Sequence, residues 1–493
     1  MAKSLRNIDK RLALLRFRKL GDSILVTNDM GRYIWLSEEQ FDQMLHGELS
    51  PDSDLNKDLL EKDFLKRPNY ANRAADIIRW RNDFLNGGPN LHILIVTLRC
   101  NYTCQYCHAS REPMDRTECD MPIERARVVV DTIFETTSPA INIEFQGGEP
   151  LANWETLKFV IEYAEEKNKL ADKNVAFTLV SNLSLMDEEK LAFLIDHNVY
   201  VCTSVDGPRD LHEKNRIWTG GSSYEETVKW IQRFHDEYKK RGYDLNLFHV
   251  DALMTTTRYS LPRWKEIVDE YVKLGLKSIH IRPLNPFGFV TKTWQKIGYT
   301  VEEFIEFYKK SFDYIIELNL NGTEMIERMA AIYLTRILTD RDPNYMELRS
   351  PCGAGIGQIA YNYDGQIFTC DEGRMMSRMG DDLFKMGDAG QETYPELIES
   401  EAVKTLVLAS VQEGIPLCST CAYKPYCGVC PIYNYATQGD IFGQMPTNGR
   451  CKAALATFDH LFSYIMKKDN DIQQIFDRWV TVKIRKQDAC DPY

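Results

Sequence analysis

Three closely spaced cysteines, Cys100, Cys104 and Cys107, form a CxxxCxxC set. A structural zinc ion takes four ligands, and this short segment supplies three thiols and no fourth. A [4Fe–4S] cluster held by three cysteines keeps one iron open for another ligand. The spacing therefore favours an iron–sulfur cluster with an open iron, and a fragment of a zinc site is the alternative.

The segment around these cysteines resembles the cluster loop of the radical S-adenosylmethionine (SAM) superfamily. The apolar run 91–98 predicts a buried strand that leads directly into the loop, and Tyr106 matches the aromatic residue that the family has before its third cysteine. The resemblance implies that the open iron binds S-adenosyl-L-methionine. It also implies that one electron from the cluster releases a 5′-deoxyadenosyl radical.

One βα unit later, Gly147, Gly148, Glu149 and Pro150 match the GGEP motif of the same superfamily. The resemblance implies that this motif binds the methionine amino group of the cofactor. Glycine permits a close approach to a ligand, and a carboxylate suits an ammonium group.

Polar residues at later strand ends resemble the positions that contact the rest of the cofactor. They are Ser181, Asn182, Ser204, Asp206 and Arg216. The short side chains can hydrogen-bond the ribose and the carboxylate, and the arginine fork suits the carboxylate. Loop caps and a surface ion pair are the alternatives. Ile281 and Leu284 are expected near the adenine, where core packing explains them equally well, and the sequence identifies no catalytic acid or base.

Seven further cysteines occupy the C-terminal part of the chain: Cys352, Cys370, Cys418, Cys421, Cys427, Cys430 and Cys451. Their core resembles the SPASM domain, an auxiliary-cluster module of peptide-modifying radical enzymes, with one residue fewer between its last two cysteines. The resemblance implies one [4Fe–4S] cluster on Cys418, Cys421, Cys427 and Cys451. It implies a second on Cys352, Cys370 and Cys430, with an open iron or a non-cysteine ligand. A zinc ribbon with stray thiols is the alternative.

Composition narrows the class of protein. The chain has 493 residues, a net charge of −12 and thirteen cysteines. The acidic balance argues against a nucleic-acid partner and favours a peptide or small-molecule substrate. No apolar run approaches the ~20 residues of a membrane span, and the N-terminus lacks the apolar region of a signal peptide. We therefore expect a cytoplasmic protein whose clustered cysteines bind metal; Cys119, Cys202 and Cys490 are expected to be ordinary thiols.

Alternating strand and helix patterns predict an α/β fold with a parallel sheet. The predicted strands are Leu91–Leu98, Ile141–Phe145, Val175–Val180, Tyr200–Val205, Leu247–Leu253 and Ser278–Arg282, separated by helices such as Ile123–Phe134, Trp154–Lys167 and Glu188–His197. The family resemblance implies a partial (β/α)6 barrel. Ligands in barrels lie at the C-terminal strand ends, where all these motifs fall.

The first 88 residues predict a separate module. Ile24–Thr27 and Tyr33–Leu36 form a hairpin, followed by a helix with a Ser37–Gln40 capping box and by helices over Asp54–Leu65 and Ala71–Leu85. This order resembles winged-helix elements that bind leader peptides by adding a strand to a sheet edge. A generic cap over the barrel is the alternative. We expect four parts: 1–88, the barrel over 89–345, the SPASM region over 346–465 and a helical tail over 466–493.

From end to end, the chain resembles the radical SAM/SPASM peptide maturases of the His-Xaa-Ser system, for example in 15–21, 26–32 and 104–111. The resemblance implies a precursor peptide with a leader, hydrogen abstraction from a side-chain carbon and an oxidative cross-link. A flavodoxin- or ferredoxin-type protein would supply low-potential electrons. A formylglycine-forming oxidase of the sulfatase-maturase type and a non-enzymatic zinc scaffold are the alternatives.

Overall fold

The computed structural model describes residues 8–481. The expectations for residues 1–7, for residues 482–493 and for Cys490 lie outside this range. Each helix within it is too short or too polar to span a membrane.

The described chain begins with a three-stranded antiparallel sheet, called the front sheet below. Its strands are β1 (Arg16–Leu20), β2 (Ser23–Thr27) and β3 (Tyr33–Leu36), in that spatial order. The helices that follow are α1 (Glu38–His46), α2 (Asp54–Glu61), α3 (Tyr70–Arg81) and α4 (Phe84–Gly87). The predicted hairpin is confirmed as β2–β3, and the Ser37–Gln40 capping box is present.

Two helix ends in this region differ from the prediction. Helix α2 ends at Glu61 rather than Leu65, because Asp63 adopts a left-handed backbone conformation with φ of 58°. Helix α3 ends at Arg81 rather than Leu85, and a separate short turn of helix follows. The sequence pattern also missed β1, whose charged residues do not suggest a strand.

The centre of the molecule is a ten-stranded sheet that is mostly parallel. Its spatial order is β12-β11-β10-β8-β7-β6-β4-β13-β14-β15. The first seven strands in that order are β12 (Ile326–Glu327), β11 (Ser278–Arg282), β10 (Asp251–Thr255), β8 (Tyr200–Ser204), β7 (Asn174–Val180), β6 (Ala140–Gly147) and β4 (Leu91–Thr97). An additional two-stranded ribbon joins β5 (Tyr102–Cys104) to β9 (Arg216–Trp218).

Helices between these strands cover the outer face of the sheet. They are α5 (Ile123–Phe134), α6 (Trp154–Ala171), α7 (Glu188–Asp196), α8 (Arg209–Asn215), α9 (Ser223–Lys240), α10 (Trp264–Lys273), α11 (Val290–Ile297), α12 (Val301–Leu320) and α13 (Arg328–Leu338). Buried apolar side chains such as Val129, Val160, Phe145 and Phe234 fill the space between sheet and helices. This alternation confirms the α/β fold with a parallel sheet.

One predicted strand is displaced along the chain. We expected a strand over Leu247–Leu253, whereas β10 runs from Asp251 to Thr255. The residues before it form a turn, because the Asp244 carboxylate accepts the Asn246 amide at 2.9 Å and the Asp244 carbonyl accepts the Leu247 amide at 2.9 Å.

The C-terminal region extends the same sheet. Strand β13 (Gln358–Tyr361) pairs in parallel with β4, and β14 (Gln366–Phe368) and β15 (Lys385–Asp388) add antiparallel strands beyond it. The helices of this region are α14 (Asp371–Arg378), α15 (Tyr394–Ile398), α16 (Glu401–Ser410), α17 (Pro431–Gln438), α18 (Gly449–Met466) and α19 (Asn470–Val480). The sheet therefore continues across residue 345, where the sequence suggested a boundary.

Candidate active site

The CxxxCxxC loop follows β4 at the carboxyl edge of the sheet. Strand β5 within the loop pairs with β9, and Cys104 lies opposite Arg216. Burial raises the pKa of the Cys104 thiol to about 11, while the Arg216 guanidinium opposes that rise and Cys107 adds to it. Burial and then Cys104 likewise raise the pKa of Cys100. The three thiols therefore lie within electrostatic range of one another, with a guanidinium beside them.

The GGEP segment packs against the chain that enters this loop. A β-carbon on Gly147 would lie 2.1 Å from the Thr97 carbonyl oxygen, and one on Gly148 would lie 2.3 Å from the Leu98 carbonyl oxygen. Both positions therefore require glycine, because backbone meets backbone there. The Glu149 amide donates to the Arg99 carbonyl at 2.7 Å, which fixes the motif beside the first cysteine.

Glu149 lies at the centre of a buried hydrogen-bond network. Its carboxylate accepts the Ser181 hydroxyl at 2.7 Å, the Asn182 amide at 2.8 Å and the Leu151 amide at 3.1 Å. Burial raises the pKa of Glu149, and these hydrogen bonds oppose the rise. The Asn182 side chain in turn donates to the Cys100 sulfur at 3.9 Å. The structure thus joins the GGEP motif, the end of β7 and the cysteine loop.

A second buried network contains Tyr106, Asp206 and Arg216. The Tyr106 hydroxyl lies 2.9 and 2.8 Å from the two Asp206 carboxylate oxygens, and Arg216 Nη1 donates to that hydroxyl at 3.0 Å. Burial raises the pKa of Asp206 to about 6, against the charge of Arg216 and the Tyr106 hydrogen bond. Arg216 Nε is buried with no hydrogen-bond partner among residues 8–481, so one donor of this fork is free.

The other predicted cofactor contacts lie at the same edge without joining these networks. Ser204 ends β8, and its hydroxyl shows no side-chain hydrogen bond within the described chain to either network. Pro150 is buried at the start of a short helical turn. Ile281 is buried in the main core, and Leu284 packs in a small apolar cluster with Tyr106 and the partly buried Cys104.

The inner face of the sheet carries charged residues that the sequence analysis did not identify. Parallel pairing places Thr255 beside Arg282 and Leu253 beside His280. Burial raises the pKa of Glu144, which accepts the Gln146 amide at 2.5 Å. Burial and the nearby Arg282 lower the pKa of His280. Alternation along β6 and β11 could have indicated this polar interior, because Glu144, His280 and Arg282 share the period of the inward-facing positions.

The C-terminal cysteines form two groups. Cys352, Cys370 and Cys430 belong to one buried apolar cluster, while Cys418 and Cys451 pack together against another. Burial raises the pKa of Cys427, and the thiols of Cys421, Cys451 and Cys418 raise it further. The ligand sets implied by the family resemblance stay predictions. Cys119 is buried apart from both groups, and Cys202 lies on β8.

Charged residues surround the three-cysteine group. Burial raises the pKa of Cys370, followed by the charges of Glu372, Cys430 and Cys352. Glu347 forms an ion pair with Arg450 close to this group. Across residues 8–481, no three His, Cys, Asp or Glu side chains are arranged to hold a single metal ion.

The loop 283–289, between β11 and α11, connects the first cysteine loop to the three-cysteine group. The Phe289 amide donates to the Cys107 carbonyl at 3.1 Å, and Phe287 is buried with Cys352, Cys370 and Cys430. At Gly288, with φ of 58°, a β-carbon would lie 2.4 Å from the His108 carbonyl oxygen. The two sites are therefore held together by one short segment.

The mostly parallel sheet and the three-cysteine loop at its carboxyl edge are the features of a radical SAM domain. Residues 94–251 match the sequence model of the Radical SAM superfamily. The chain therefore contains a radical SAM domain.

Known proteins resemble this chain over most of its length. The cysteine-type anaerobic sulfatase-maturating enzyme of Clostridium perfringens is 23% identical over 397 residues, covering 78% of this chain and 100% of that protein. The structure of anSMEcpe with bound AdoMet and Cp18Cys peptide has a TM-score of 0.64 at 21% identity, covering 77% of this chain and 99% of that one. Streptococcus suis SuiB bound to precursor peptide SuiA has a TM-score of 0.52 at 13% identity, covering 89% and 98%. These structures share the fold.

Proposed function

We propose that this enzyme modifies a ribosomally made precursor peptide by removing a hydrogen atom from a side-chain carbon and forming an oxidative cross-link. The observation that carries the proposal is the arrangement of ten cysteines in three groups, one beside the GGEP motif and two in the C-terminal region. Support comes from the fold shared with SuiB, which binds a precursor peptide.

In this proposal, the first cluster is held by Cys100, Cys104 and Cys107. The SAM-binding residues are Gly147, Gly148, Glu149, Pro150, Ser181, Asn182, Ser204, Asp206 and Arg216. When bound, these groups supply a 5′-deoxyadenosyl radical for hydrogen abstraction. The thiol donor set suits a cluster, and the free Arg216 Nε suits a carboxylate. Glu149 stays fixed beside Cys100 because three donors hold its carboxylate.

The two C-terminal cysteine groups are proposed to hold auxiliary [4Fe–4S] clusters. Cys418, Cys421, Cys427 and Cys451 complete one set of four ligands. Cys352, Cys370 and Cys430 supply three, so the second cluster has an open iron or a non-cysteine ligand. After hydrogen abstraction, closing the cross-link releases one proton and one further electron from the peptide, and an iron–sulfur centre can accept the electron.

The substrate is proposed to be a peptide of the His-Xaa-Ser type with a leader that the N-terminal region binds. The edge strands of the front sheet are β1 and β3, and an edge strand is where a peptide strand can be added. The half-buried Glu144, His280 and Arg282 suit a polar side chain in the barrel. A flavodoxin- or ferredoxin-type donor is the proposed source of low-potential electrons.

Anaerobic incubation with the precursor peptide encoded nearest to the gene tests this proposal. Tandem mass spectrometry should show a product that has lost two hydrogen atoms and resists fragmentation inside a ring. Cys104→Ala should abolish 5′-deoxyadenosine formation, whereas Cys119→Ala should retain it. An unchanged peptide, in a reaction that consumes SAM and contains the correct leader, would contradict the assigned substrate.

Formylglycine formation is the second candidate, because the sulfatase-maturating relative is matched over its entire length. The two candidates differ in product, since formylglycine carries an aldehyde that a hydrazide reagent captures and a cross-link does not. Metal analysis separates both from a zinc scaffold. About twelve iron atoms per chain with equal sulfide fit three clusters. Zinc without iron would contradict both enzymatic candidates.

A further inference from the structure

The front sheet lies directly against the loop 415–430, which carries three cysteines of the four-cysteine group. The buried Thr27 hydroxyl donates to the Ala422 carbonyl at 2.7 Å, and the Tyr426 hydroxyl donates to the Gly31 carbonyl at 3.1 Å. Tyr33 and Trp35 of β3 pack on Phe462 of α18, which also stacks on Tyr423. The front sheet thus forms one wall of the four-cysteine site.

Two arginines of β1 flank Cys421 from this wall. Arg16 Nε donates to the Ser419 carbonyl at 2.7 Å, and the Arg18 guanidinium carbon lies 5.6 Å from the centre of the Tyr423 ring. Ser419 and Tyr423 are each two residues from Cys421. The two guanidiniums therefore approach the same cysteine from both sides along the chain.

Carboxylates hold both arginines in place. Arg16 is only 7% exposed and lies 2.8 Å from Asp29, which also pairs with Lys424 at 2.8 Å. Arg18 makes two 2.7 Å hydrogen bonds to Asp459, which also accepts the Tyr423 hydroxyl at 2.6 Å. A bidentate pair fixes the guanidinium in one orientation. The guanidiniums of Arg16 and Arg18 are therefore committed to internal contacts.

The contacts of Arg16 and Arg18 bring two positive charges to the loop that carries Cys421. Arg16 contacts the backbone of Ser419, and Arg18 lies near the ring of Tyr423. Their carboxylate partners, Asp29 and Asp459, offset part of this positive charge. A positive field stabilises the more negative state of any group bound there.

We infer that Arg16 and Arg18 of β1 are positioning residues that raise the reduction potential of the auxiliary cluster proposed on Cys418, Cys421, Cys427 and Cys451. This inference rests on that proposed cluster. On accepting one electron, the cluster gains one negative charge, which the two guanidiniums stabilise. Net charge, hydrogen bonds and solvent exposure are the factors that set such potentials.

Redox titration of the full-length, cluster-loaded protein with dithionite, followed by electron paramagnetic resonance, tests the inference. A Cys421→Ala variant identifies the signal of this cluster by its loss. Arg18→Gln should lower the equilibrium constant for reduction of the cluster by about tenfold. For a one-electron couple this is a shift of about 59 mV to lower potential. Asp459→Asn should shift the potential upward, because it removes the opposing negative charge.

Two control variants separate charge from local packing. Arg18→Lys keeps the charge and loses the bidentate geometry, so its potential should stay closer to that of the wild type than that of Arg18→Gln. Lys19→Gln removes a charge from the same strand. Because Lys19 is exposed and pairs with Glu38 of α1, the potential should not move. Shifts of the same sign in Arg18→Gln and Asp459→Asn would overturn the inference.

The iron content separates failure of the inference from failure of the proposed function. About four irons per chain in the wild-type protein would show that the auxiliary clusters are absent, and this would contradict both the proposed function and the inference. About twelve irons with an unmoved potential in Arg18→Gln would overturn the inference alone.

Discussion

Glu149 shows how individual residues set the geometry of the site. Because its carboxylate already accepts from Ser181, Asn182 and Leu151, its position is fixed before any ligand binds. The spacing of the cysteines and of GGEP was readable from the sequence, because both are local motifs. The link between them was not, since it depends on which strand ends become neighbours.

Glu149→Gln should weaken SAM binding by at least about tenfold. The glutamine side chain would point an N–H donor at Ser181, Asn182 and Leu151, which are donors to Glu149. An unmatched buried donor costs roughly 1–3 kcal/mol. Anaerobic equilibrium dialysis with labelled SAM measures the change. Glu155→Gln, an exposed position on α6, is the control and should bind as the wild type does. Equal affinity in both variants would exclude Glu149 as a cofactor contact.

Asp206 should make stability depend on pH. Burial raises its pKa to about 6, from an ordinary value near 3.8. The contribution of its protonated carboxyl to the free energy of unfolding is therefore fully present below about pH 4. This contribution, on the order of 3 kcal/mol, is lost as the pH rises through about 6. Urea unfolding of metal-free protein should show a smaller loss of stability over this range in Asp206→Asn. Asp210→Asn, an exposed position with a lowered pKa, should not reduce the loss.

The loop 283–289 is the element that joins the first cysteine loop to the three-cysteine group. Gly288→Ala should push this loop away from His108, because a β-carbon there would lie 2.4 Å from a carbonyl oxygen. Gly242→Ala is a matched control, since Gly242 also has a positive φ but has open space around it. The cluster absorbance of Gly288→Ala should therefore bleach several-fold faster in air. Equal rates in the two variants would show that the loop does not shield the first cluster.

Most elements followed from local patterns, and the failures have clear causes. Helix α5 and strand β11 matched their predicted bounds because their apolar periodicity is uninterrupted. Strand β1 was missed because its arginines look like surface residues. Their partner Asp459 lies 441 residues from Arg18, so no window along the chain contains both.

At the scale of the whole molecule, the last described helix completes the core. Helix α19 packs on α12 and α13, with Phe476 and Trp479 buried against them. The sequence suggested only a helical tail here. A tail and a core helix share one amphipathic pattern, and they differ in what covers the apolar face.

Phe476→Ala should therefore destabilise the protein by about 3–5 kcal/mol, since it removes a fully buried aromatic ring. Differential scanning calorimetry should show a lower transition temperature, with Gln474→Ala on the exposed face of the same helix as the control. Matching transitions in the two variants would mean that α19 does not contribute to the core in solution.

The parallel pairing of β13 with β4 has a mechanical consequence. The strand that delivers the first cysteine loop is laterally bonded to the strand that lies between Cys352 and Cys370. Thermal fluctuations of one strand are thus shared by the other, and the gap between the two sulfur-rich regions varies little. In the proposed mechanism, an electron that passes between these regions crosses a distance set by the folded backbone, and docking of a peptide changes that distance little.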